Sequence, residues 1–467
     1  MKKKLLSMCL GLLFCGSAMA QMEILYGGAS LTTTTLTDGT TLVQFPEDVV
    51  FNTTDFQNKI SVTVDGSSVA NNAIIPNPAT TFITDNEIET FVYGGKAYSF
   101  RFTAGQYFTV VMFSDPHVAE GTGISVADMQ DKATNMINYK YTFDELPGYE
   151  GSADLVFCLG DMDKDNEESG TNFKNAIAPF NNNNIPFITI IGNHDLVPDI
   201  YWDDNEDYGY TYSGGANNKT ALSLVKSQYA TAATNGGFTV DRIYDTECDA
   251  DFVIEHFAFK YKGVRFYCAN NYWFQKSHDI AATIISSASK TTYAADGTIN
   301  ALKAYLNKQN TDGTLYKEDP AVWVSHFPFY SEANDYNDSK DRWWLDQNNA
   351  AADRDPVCLW PTDATSSEFY NNGVAVTYTS SEGKALAEKK RKALADIIVQ
   401  TKNPRHFSGH AHKNDGQTVT ANNGSTFRDH TIQPITNTGV SNSLEGNTFA
   451  VLCKSGVGII AVKRVTF

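Results

Sequence analysis

Beyond its first twenty residues, the chain lacks any run of apolar residues long enough to cross a membrane. A spanning helix needs about 20 such residues, and Leu5–Phe14 is about half that length. This stretch follows Lys2–Lys4 and precedes Ala18–Ala20, which is the pattern of a cleavable secretory signal. We therefore expect an exported, periplasmic or secreted chain. The alternative, a lipid anchor at Cys15, is disfavoured because Phe14 occupies a position that requires a small residue.

Basic residues are also scarce. The chain has 36 Lys and Arg against 54 Asp and Glu, a formal net charge of −18, and removal of Lys2, Lys3 and Lys4 with the signal makes it −21 (−18 − 3). A surface this acidic repels nucleic-acid polymers. A bound metal ion can still attract a small phosphate locally.

Cysteines are few, and none has the spacing of a metal site. The five that follow the signal are an odd number, so at least one thiol stays free. Cys158 and Cys268 lie in apolar runs and are predicted to be core residues. Cys248 and Cys358 lie in polar segments and are the pair to expect if a disulfide forms.

Residues 21–104 predict a small β-sandwich-like domain. The region is rich in Thr, Val, Ile and Phe, and turn pairs such as Asp38-Gly39 and Asp65-Gly66 divide it. It contains no histidine. A carbohydrate or a protein could contact this domain, but the lack of a distinctive motif favours a packing role.

Residues 105–467 have a different pattern. Tyr107–Phe113 and Ala153–Leu159 are continuous apolar runs typical of strands buried on both faces. Strands of this kind alternate with amphipathic helices, which indicates an α/β domain. Two long insertions, at about 196–251 and 329–383, interrupt it.

The chain has only nine histidines, and five of them fall in short pieces rich in metal-binding side chains. Several of these pieces directly follow a predicted buried strand, and strand carboxyl ends meet at one edge of a sheet. Imidazoles, carboxylates and an amide gathered there can hold two divalent cations, an arrangement that splits phosphate esters. Each piece alone is a weak signal, but all five in order are specific. The pieces are Asp115-Pro116-His117, Gly160-Asp161, Gly192-Asn193-His194-Asp195, Ser325-His326-Phe327-Pro328 and Gly409-His410-Ala411-His412.

The order of these pieces resembles the calcineurin-like metallophosphoesterase superfamily, over roughly residues 107–467. The resemblance implies an α/β (α+β) fold of two stacked mixed β-sheets flanked by helices, with two metal ions at the strand ends. Residue by residue, it implies one ion held by Asp115, His117 and His412, a second held by Asn193, His326 and His410, and Asp161 bridging both.

The resemblance also implies that His194 is a general acid just outside the metal ions, oriented by Asp195. The sequence departs from the family at Lys164, where relatives often have Asp or, in purple acid phosphatases, Tyr. A coloured iron(III)–tyrosinate site is therefore not expected. The mixed nitrogen and oxygen ligands suit Mn, Fe or Zn.

The function that these features predict is an exported dinuclear phosphoesterase. It would hydrolyse a small phosphomonoester or phosphodiester by attack of a metal-bridging hydroxide, with His194 protonating the leaving group. The alternative is a surface binding protein whose amino-terminal β domain carries the function and whose metal site is vestigial. The complete ligand set argues against that alternative.

Arg342, Trp343 and Trp344, in the second insertion, are candidate substrate contacts. Aromatic rings can stack on a flat or apolar group while an arginine meets phosphate. The same side chains could equally form the insertion's own core. The remaining histidines have simpler interpretations, with His256 and His406 predicted to pack in strands and His278 and His430 predicted at the surface or in loops.

Overall fold

The computed structural model describes residues 21–70, 73–118, 123–162, 169–192, 195, 216–243, 256–269, 295–326, 328–329, 366–371, 374–379, 392–410, 414–435 and 446–467. The chain divides into two compact units, Met1–Ala104 and Gly105–Phe467. Among the described residues, no helix combines the length and the apolar character that crossing a membrane requires.

The first unit consists of two four-stranded sheets around one core. One sheet has the order β2-β1-β5-β6 and the other β3-β4-β8-β7, and side chains of both, such as Ile24 and Phe102, share a single apolar cluster. A short helix among its described residues begins after Thr53, whose side chain accepts a hydrogen bond from Phe56 N–H. The elements are β1 Met22–Tyr26, β2 Ala29–Ser30, β3 Thr32–Thr35, β4 Thr41–Phe45, α1 Thr54–Lys59, β5 Ile60–Val64, β6 Ser67–Ser68, β7 Ile88–Tyr93 and β8 Lys96–Ala104.

The second unit contains the remaining strands and most of the described helices. Its strands are β9 Tyr107–Phe113, β10 Tyr141–Phe143, β11 Leu146–Gly151, β12 Ala153–Cys158, β13 Phe187–Thr189, β14 Val240–Ile243, β15 His256–Tyr261, β16 Val264–Cys268, β17 Pro320–Val324, β18 Ser366–Asn371, β19 Val374–Thr379, β20 Lys402–Ser408, β21 Asp415–Thr420, β22 Thr426–Thr431, β23 Thr448–Lys454 and β24 Gly458–Val465. Its helices are α2 Val126–Asn138, α3 Ser169–Ala176, α4 Ala178–Asn182, α5 Ala216–Gly236 and α6 Ala295–Leu306, with a 3₁₀ turn at Tyr316–Glu318 and a further helix at 392–398.

A five-stranded sheet in the order β13-β12-β9-β23-β24 forms one layer. Its central strand β9 pairs in parallel with β12 and antiparallel with β23. All seven residues of β9 are buried, because helices cover one face of the sheet and a second sheet covers the other. A strand covered on both faces requires an unbroken apolar sequence, which Tyr107–Phe113 provides.

A seven-stranded sheet in the order β14-β15-β16-β17-β20-β22-β21 forms the second layer. Rings from the two sheets meet between the layers, as in Phe157 with Phe266 at 5.6 Å and Phe407 with Phe449 at 5.3 Å. On its outer face, Trp323 shares an apolar cluster with α6 and with the helix at 392–398. Two stacked mixed sheets flanked by helices confirm the predicted fold class, and the described part of the first unit is all-β apart from the short helix α1.

Cysteines in the described residues follow the prediction for the core. Cys158, Cys268 and Cys453 are free and buried, and burial raises the pKa of each thiol. Cys248 and Cys358 lie outside the described residues.

Candidate metal centre

Two loops of the five-stranded sheet run side by side beyond its carboxyl edge. Asp115 follows β9 and Asp161 follows β12, which are neighbouring parallel strands. Asp115 N–H donates to the Gly160 carbonyl at 3.2 Å, and His117 N–H donates to the Asp161 carbonyl at 3.1 Å. Backbone bonds therefore continue past the strands and hold the two aspartates and His117 at a fixed spacing.

Two loops of the seven-stranded sheet approach from the other layer. His326 lies two residues beyond β17 and His410 two residues beyond β20, and these strands are parallel neighbours. Gly409 N–H donates to the His326 carbonyl at 3.0 Å. His410 N–H donates to Asp115 Oδ2 at 3.0 Å, so the loops of the two sheets are tied to each other.

The side chains converge into two groups that share one residue. Asp115, His117 and Asp161 place one ligand atom each within 4.8 Å of one another, and so do Asp161, His326 and His410. Asp161 Oδ2 lies 3.2 Å from His326 Nε2 and 3.9 Å from His117 Nε2, and His326 Nε2 lies 3.2 Å from His410 Nδ1. A carboxylate shared by two such groups has the geometry of a bridging ligand.

The backbone of the site is strained. Among the described residues, ten non-glycine residues have positive φ, and four of them are candidate ligands, namely Asp115 (51°), His117 (42°), Asp161 (52°) and His410 (63°). Side chains other than glycine adopt this left-handed region at a cost of about 1–3 kcal/mol each. Such residues concentrate at functional sites, because the surrounding structure has to hold them there.

Glycines in the motifs leave room for these side chains. A Cβ atom at Gly192 would lie 2.0 Å from Asp161 Oδ1, and one at Gly409 would lie 1.7 Å from Ser114 Oγ and 2.6 Å from Asp115 Oδ2. Any larger residue would displace the carboxylates. Gly192 and Gly409 are therefore part of the site, although neither offers a ligand atom.

His326 has a fixed orientation and an unusual electrostatic environment. Its Nδ1 lies 2.7 Å from the Leu159 carbonyl, which can only accept, so Nδ1 carries the proton and Nε2 faces Asp161. Burial lowers the pKa of His326, but Asp161, with smaller contributions from Asp115 and Leu159, outweighs burial and raises the pKa to about 9. The two carboxylates thus favour a positive charge at this point.

The Asp195 carboxylate connects two loops of the site by hydrogen bonds. Its Oδ1 accepts from Met162 N–H at 2.8 Å and its Oδ2 accepts from Gly192 N–H at 2.6 Å. Both oxygens therefore hold the loop that carries Asp161 against the loop that carries Asn193. This role is not evident from the sequence, which predicts that Asp195 orients His194.

The structure brings together five of the seven predicted metal ligands, Asp115, His117, Asp161, His326 and His410. The other predicted site residues, apart from Asp195, lie outside the described residues. They are Asn193, His194, His412, Arg342, Trp343 and Trp344.

Of the remaining histidines, the structure corrects one prediction and adds to another. His430 lies in β22, stacked on Phe407 at 4.9 Å, so the predicted surface or loop position is wrong. The ring is half-buried, because Phe407 and Phe449 pack against it. His256 is buried in β15, and burial lowers its pKa to about 3. His406 is buried in β20 and hydrogen-bonds to Ser325 and Asp429, which the sequence does not reveal. His278 lies outside the described residues.

The residues present fit divalent metal ions. Asp115 and Asp161 are 0 and 1 % exposed, and carboxylates this deeply buried need compensating positive charge. Imidazole nitrogen and carboxylate oxygen together suit Mn, Fe and Zn. Among the described residues, the two groups sharing Asp161 are the clusters that could hold such ions.

Comparisons with known proteins agree with this arrangement. The family model for calcineurin-like phosphoesterases matches residues 108–414. A search of the curated proteins found no match.

Solved structures show weaker likeness. One is GAP50, the anchor in the inner membrane complex of Plasmodium, at 10% identity, covering 77% of this chain and 89% of that chain with a TM-score of 0.31. Another is phosphopantetheinyl hydrolase (PptH) from Mycobacterium tuberculosis, at 13% identity, covering 71% and 91% with a TM-score of 0.28. Likeness at this level carries no inference about activity.

Proposed function

Because the chain belongs to the calcineurin-like phosphoesterase family, we propose that it is an exported metal-dependent hydrolase of a small phosphomonoester or phosphodiester. The observation that carries this proposal is the position of Asp161, which belongs to both groups of candidate ligands. A shared carboxylate reduces the repulsion between two cations held close together. Export is supported by the amino-terminal pattern of basic head, short apolar stretch and Ala18–Ala20.

Two divalent ions, when bound, would act as Lewis acids that activate water and neutralise charge on a phosphoryl group. Asp115, His117 and, by the family resemblance, His412 would hold one ion. His326, His410 and, by the same resemblance, Asn193 would hold the other. The Leu159 carbonyl keeps the proton of His326 on Nδ1, which leaves Nε2 as the donor atom. Asp195 holds the loops of Asp161 and Asn193 at their spacing.

We propose that His194, which follows Asn193 directly in the chain, donates a proton to the leaving oxygen. Replacement by Ala should leave metal content unchanged and slow turnover by about 10²–10⁴-fold. The loss should be larger for an alkyl phosphate than for an aryl phosphate, because a good leaving group needs less protonation. Equal rates of the variant and the wild type on an alkyl phosphate would exclude this role.

Arg342, Trp343 and Trp344 remain candidates for substrate selection. Phe329, at the start of their insertion, lies close in sequence to His326 and is buried. An insertion that begins this close to a ligand starts near the site. These three side chains would contact the part of the substrate that is not phosphate.

A hydrolysis assay tests the proposal. A chromogenic phosphomonoester and the corresponding diester would be incubated with purified protein after chelation and after addition of manganese, iron or zinc, alongside elemental analysis. We expect metal-dependent hydrolysis and a stoichiometry near two. Asp161→Asn should lose both ions and reduce turnover on the order of 10³-fold or more, since metal stabilisation of the transition state contributes several kcal/mol.

Asp131→Asn is the matched control. Asp131 is exposed on α2, so the same chemical change there should leave turnover and metal content as in the wild type. A wild-type protein that hydrolyses neither ester with any of these metals would refute the proposed function. A site that saturates with one ion at every metal concentration would refute the dinuclear arrangement alone.

A further inference from the structure

A buried chain of hydrogen bonds lies directly behind His326. His406, on β20, places Nε2 2.8 Å from Ser325 Oγ and Nδ1 2.7 Å from Asp429 Oδ1. The second oxygen of Asp429 accepts a hydrogen bond from Phe329 N–H at 2.8 Å. Ser325, His406 and Asp429 are 0, 1 and 1 % exposed.

Hydrogen bonds occupy both ring nitrogens of His406 and both oxygens of Asp429. The Asp429 carboxylate accepts from His406 Nδ1–H and from Phe329 N–H, and His406 Nε2 shares a hydrogen bond with the Ser325 hydroxyl. Phe329 packs edge-on against the His406 ring at 4.9 Å with an interplanar angle of 90°. The position of the imidazole is therefore determined by both hydrogen bonds and packing.

The same three residue types form the triad of many hydrolases. That function is excluded here, because Ser325 is 0 % exposed and its oxygen cannot reach a substrate. The acidic member also binds a backbone N–H of the chain beyond His326, which points to a role in holding that chain.

What the network holds is the chain on both sides of a metal ligand. Ser325 immediately precedes His326, and Phe329 follows it by three residues. Ser325 N–H also donates to the Phe407 carbonyl at 3.1 Å. His326 Nε2 is useful only where it stays within reach of Asp161 and His410, so a shift of its backbone by a fraction of an ångström would misplace the donor atom.

We propose that the His406–Asp429 pair is a positioning element for the candidate metal site that contains His326 and His410, acting through Ser325 and the Phe329 backbone. This inference rests on the metal centre of the proposed function. It assigns a role to residues that offer no ligand atom. The network supports one of the two ligand groups, since Asp115 and His117 lie on a loop of the other sheet.

The test compares three variants by titrating metal-free protein with manganese, and with zinc in parallel, by calorimetry. Asp429→Asn keeps the volume but turns one acceptor into a donor, so either His406 or Phe329 loses its partner. Ser325→Ala removes only the hydroxyl. Thr401→Val is the matched control, because it breaks the 3.1 Å bond from Trp323 Nε1 to Thr401 Oγ1, which is also buried between β17 and the chain leading into β20.

We expect Asp429→Asn to weaken one of the two manganese-binding events by about 10–100-fold and Ser325→Ala to weaken the same event by about tenfold, as observed when outer partners of metal ligands are removed. The other event should be unchanged, and excess manganese should restore kcat. Thr401→Val should lower Tm and leave both events as in the wild type. A purely structural network would lower Tm in all three variants without changing the titration.

The inference is overturned if Asp429→Asn and Ser325→Ala bind both ions as tightly as the wild type, if both events weaken equally, or if the wild type binds no metal. Ser325→Ala keeps the test informative should Asp429→Asn fail to fold. The titration uses no substrate. A protein that binds two ions but hydrolyses no phosphoester would therefore refute the proposed function. The titration would still test the positioning role of His406 and Asp429.

Discussion

The two ends of the seven-stranded sheet both bury charged side chains, and they differ in how those charges are compensated. At the amino end, the Arg265 guanidinium donates to Asp319 at 2.8 Å, to Tyr305 at 3.0 Å and to Asn310 at 2.9 Å. Its Cζ also lies 3.5 Å from the centre of the Tyr316 ring. Each donor group of the cation has a partner from this chain.

At the carboxyl end, carboxylates and imidazoles converge. Asp161 approaches His326 and His410, and Asp115 accepts from the backbone of the His410 loop. Strained backbone places these groups, whereas Arg265 lies within a regular strand, β16.

The difference separates a structural network from a functional one. A satisfied cluster of opposite charges fixes how strands and loops pack, and removing one member leaves a buried charge alone. A cluster of carboxylates and imidazoles on strained backbone has to be held in place by the surrounding structure. Its carboxylates gain further counter-charge from a bound ligand. The first should respond to mutation in stability, and the second in metal binding and turnover.

Asp319→Ala should have the largest effect on stability. Loss of the carboxylate leaves the Arg265 guanidinium, 3 % exposed, without a counter-charge, which we expect to reduce the free energy of unfolding by about 3–5 kcal/mol. Turnover per folded molecule should be unchanged, because the cluster lies at the opposite end of the strands from the candidate ligands. Urea denaturation and kcat of the folded fraction measure the two effects.

Metal-linked stabilisation provides the control for this prediction. Manganese at about 100 times the Kd of each ion should add ~2.7 kcal/mol per bound ion to the free energy of unfolding of the wild type. Asp319→Ala should show the same increment, and Asp161→Asn should show none. An Asp319→Ala protein that loses the increment or the turnover would mean that the two ends are coupled, and the comparison would fail.

The sequence predicts the strands and the ligands more readily than the networks. Tyr107–Phe113 is recognisable because burial on both faces demands an unbroken apolar run. Asp115 and Asp161 are predicted to meet because strand ends in a parallel sheet share one edge. Both inferences depend only on periodicity and on the rules of sheet topology.

The side-chain networks depend on register, which the sequence does not reveal. His406 meets Asp429 because β20 and β22 pair in parallel with these residues opposite each other. It meets Ser325 because β17 lies on the other side of β20. The same limit explains the wrong expectation for His430, whose polar neighbours in sequence suggest a surface although Phe407 and Phe449 cover it in the fold.

His430 tests the same distinction, because it is a polar side chain near the carboxyl end of β22 that belongs to neither network. Among the described residues, its buried Nε2 has no hydrogen-bond partner. Burial lowers its pKa to about 3, with further lowering by Arg405, Arg428, Arg464 and His406 on the strands around it.

The effect of His430 on stability has a definite sign. A folded-state pKa below the unfolded value of about 6.5 means that the unfolded chain binds a proton first as the pH falls. The contribution of the uncharged His430 ring to the free energy of unfolding is therefore fully present above about pH 6.5 and is lost as the pH falls toward the folded-state pKa.

Replacing His430 by Phe, which retains the stack on Phe407, should remove this loss and produce the smallest effect predicted here. Relative to the wild type, the variant should gain about 1 kcal/mol in the free energy of unfolding on going from roughly pH 7.5 to pH 5.5. His430→Gln, which neither stacks nor titrates, should gain the same pH-dependent amount while being less stable at both pH values. Urea denaturation at each pH measures these differences. If both variants and the wild type lose stability in parallel on acidification, His430 does not contribute to the pH dependence of stability.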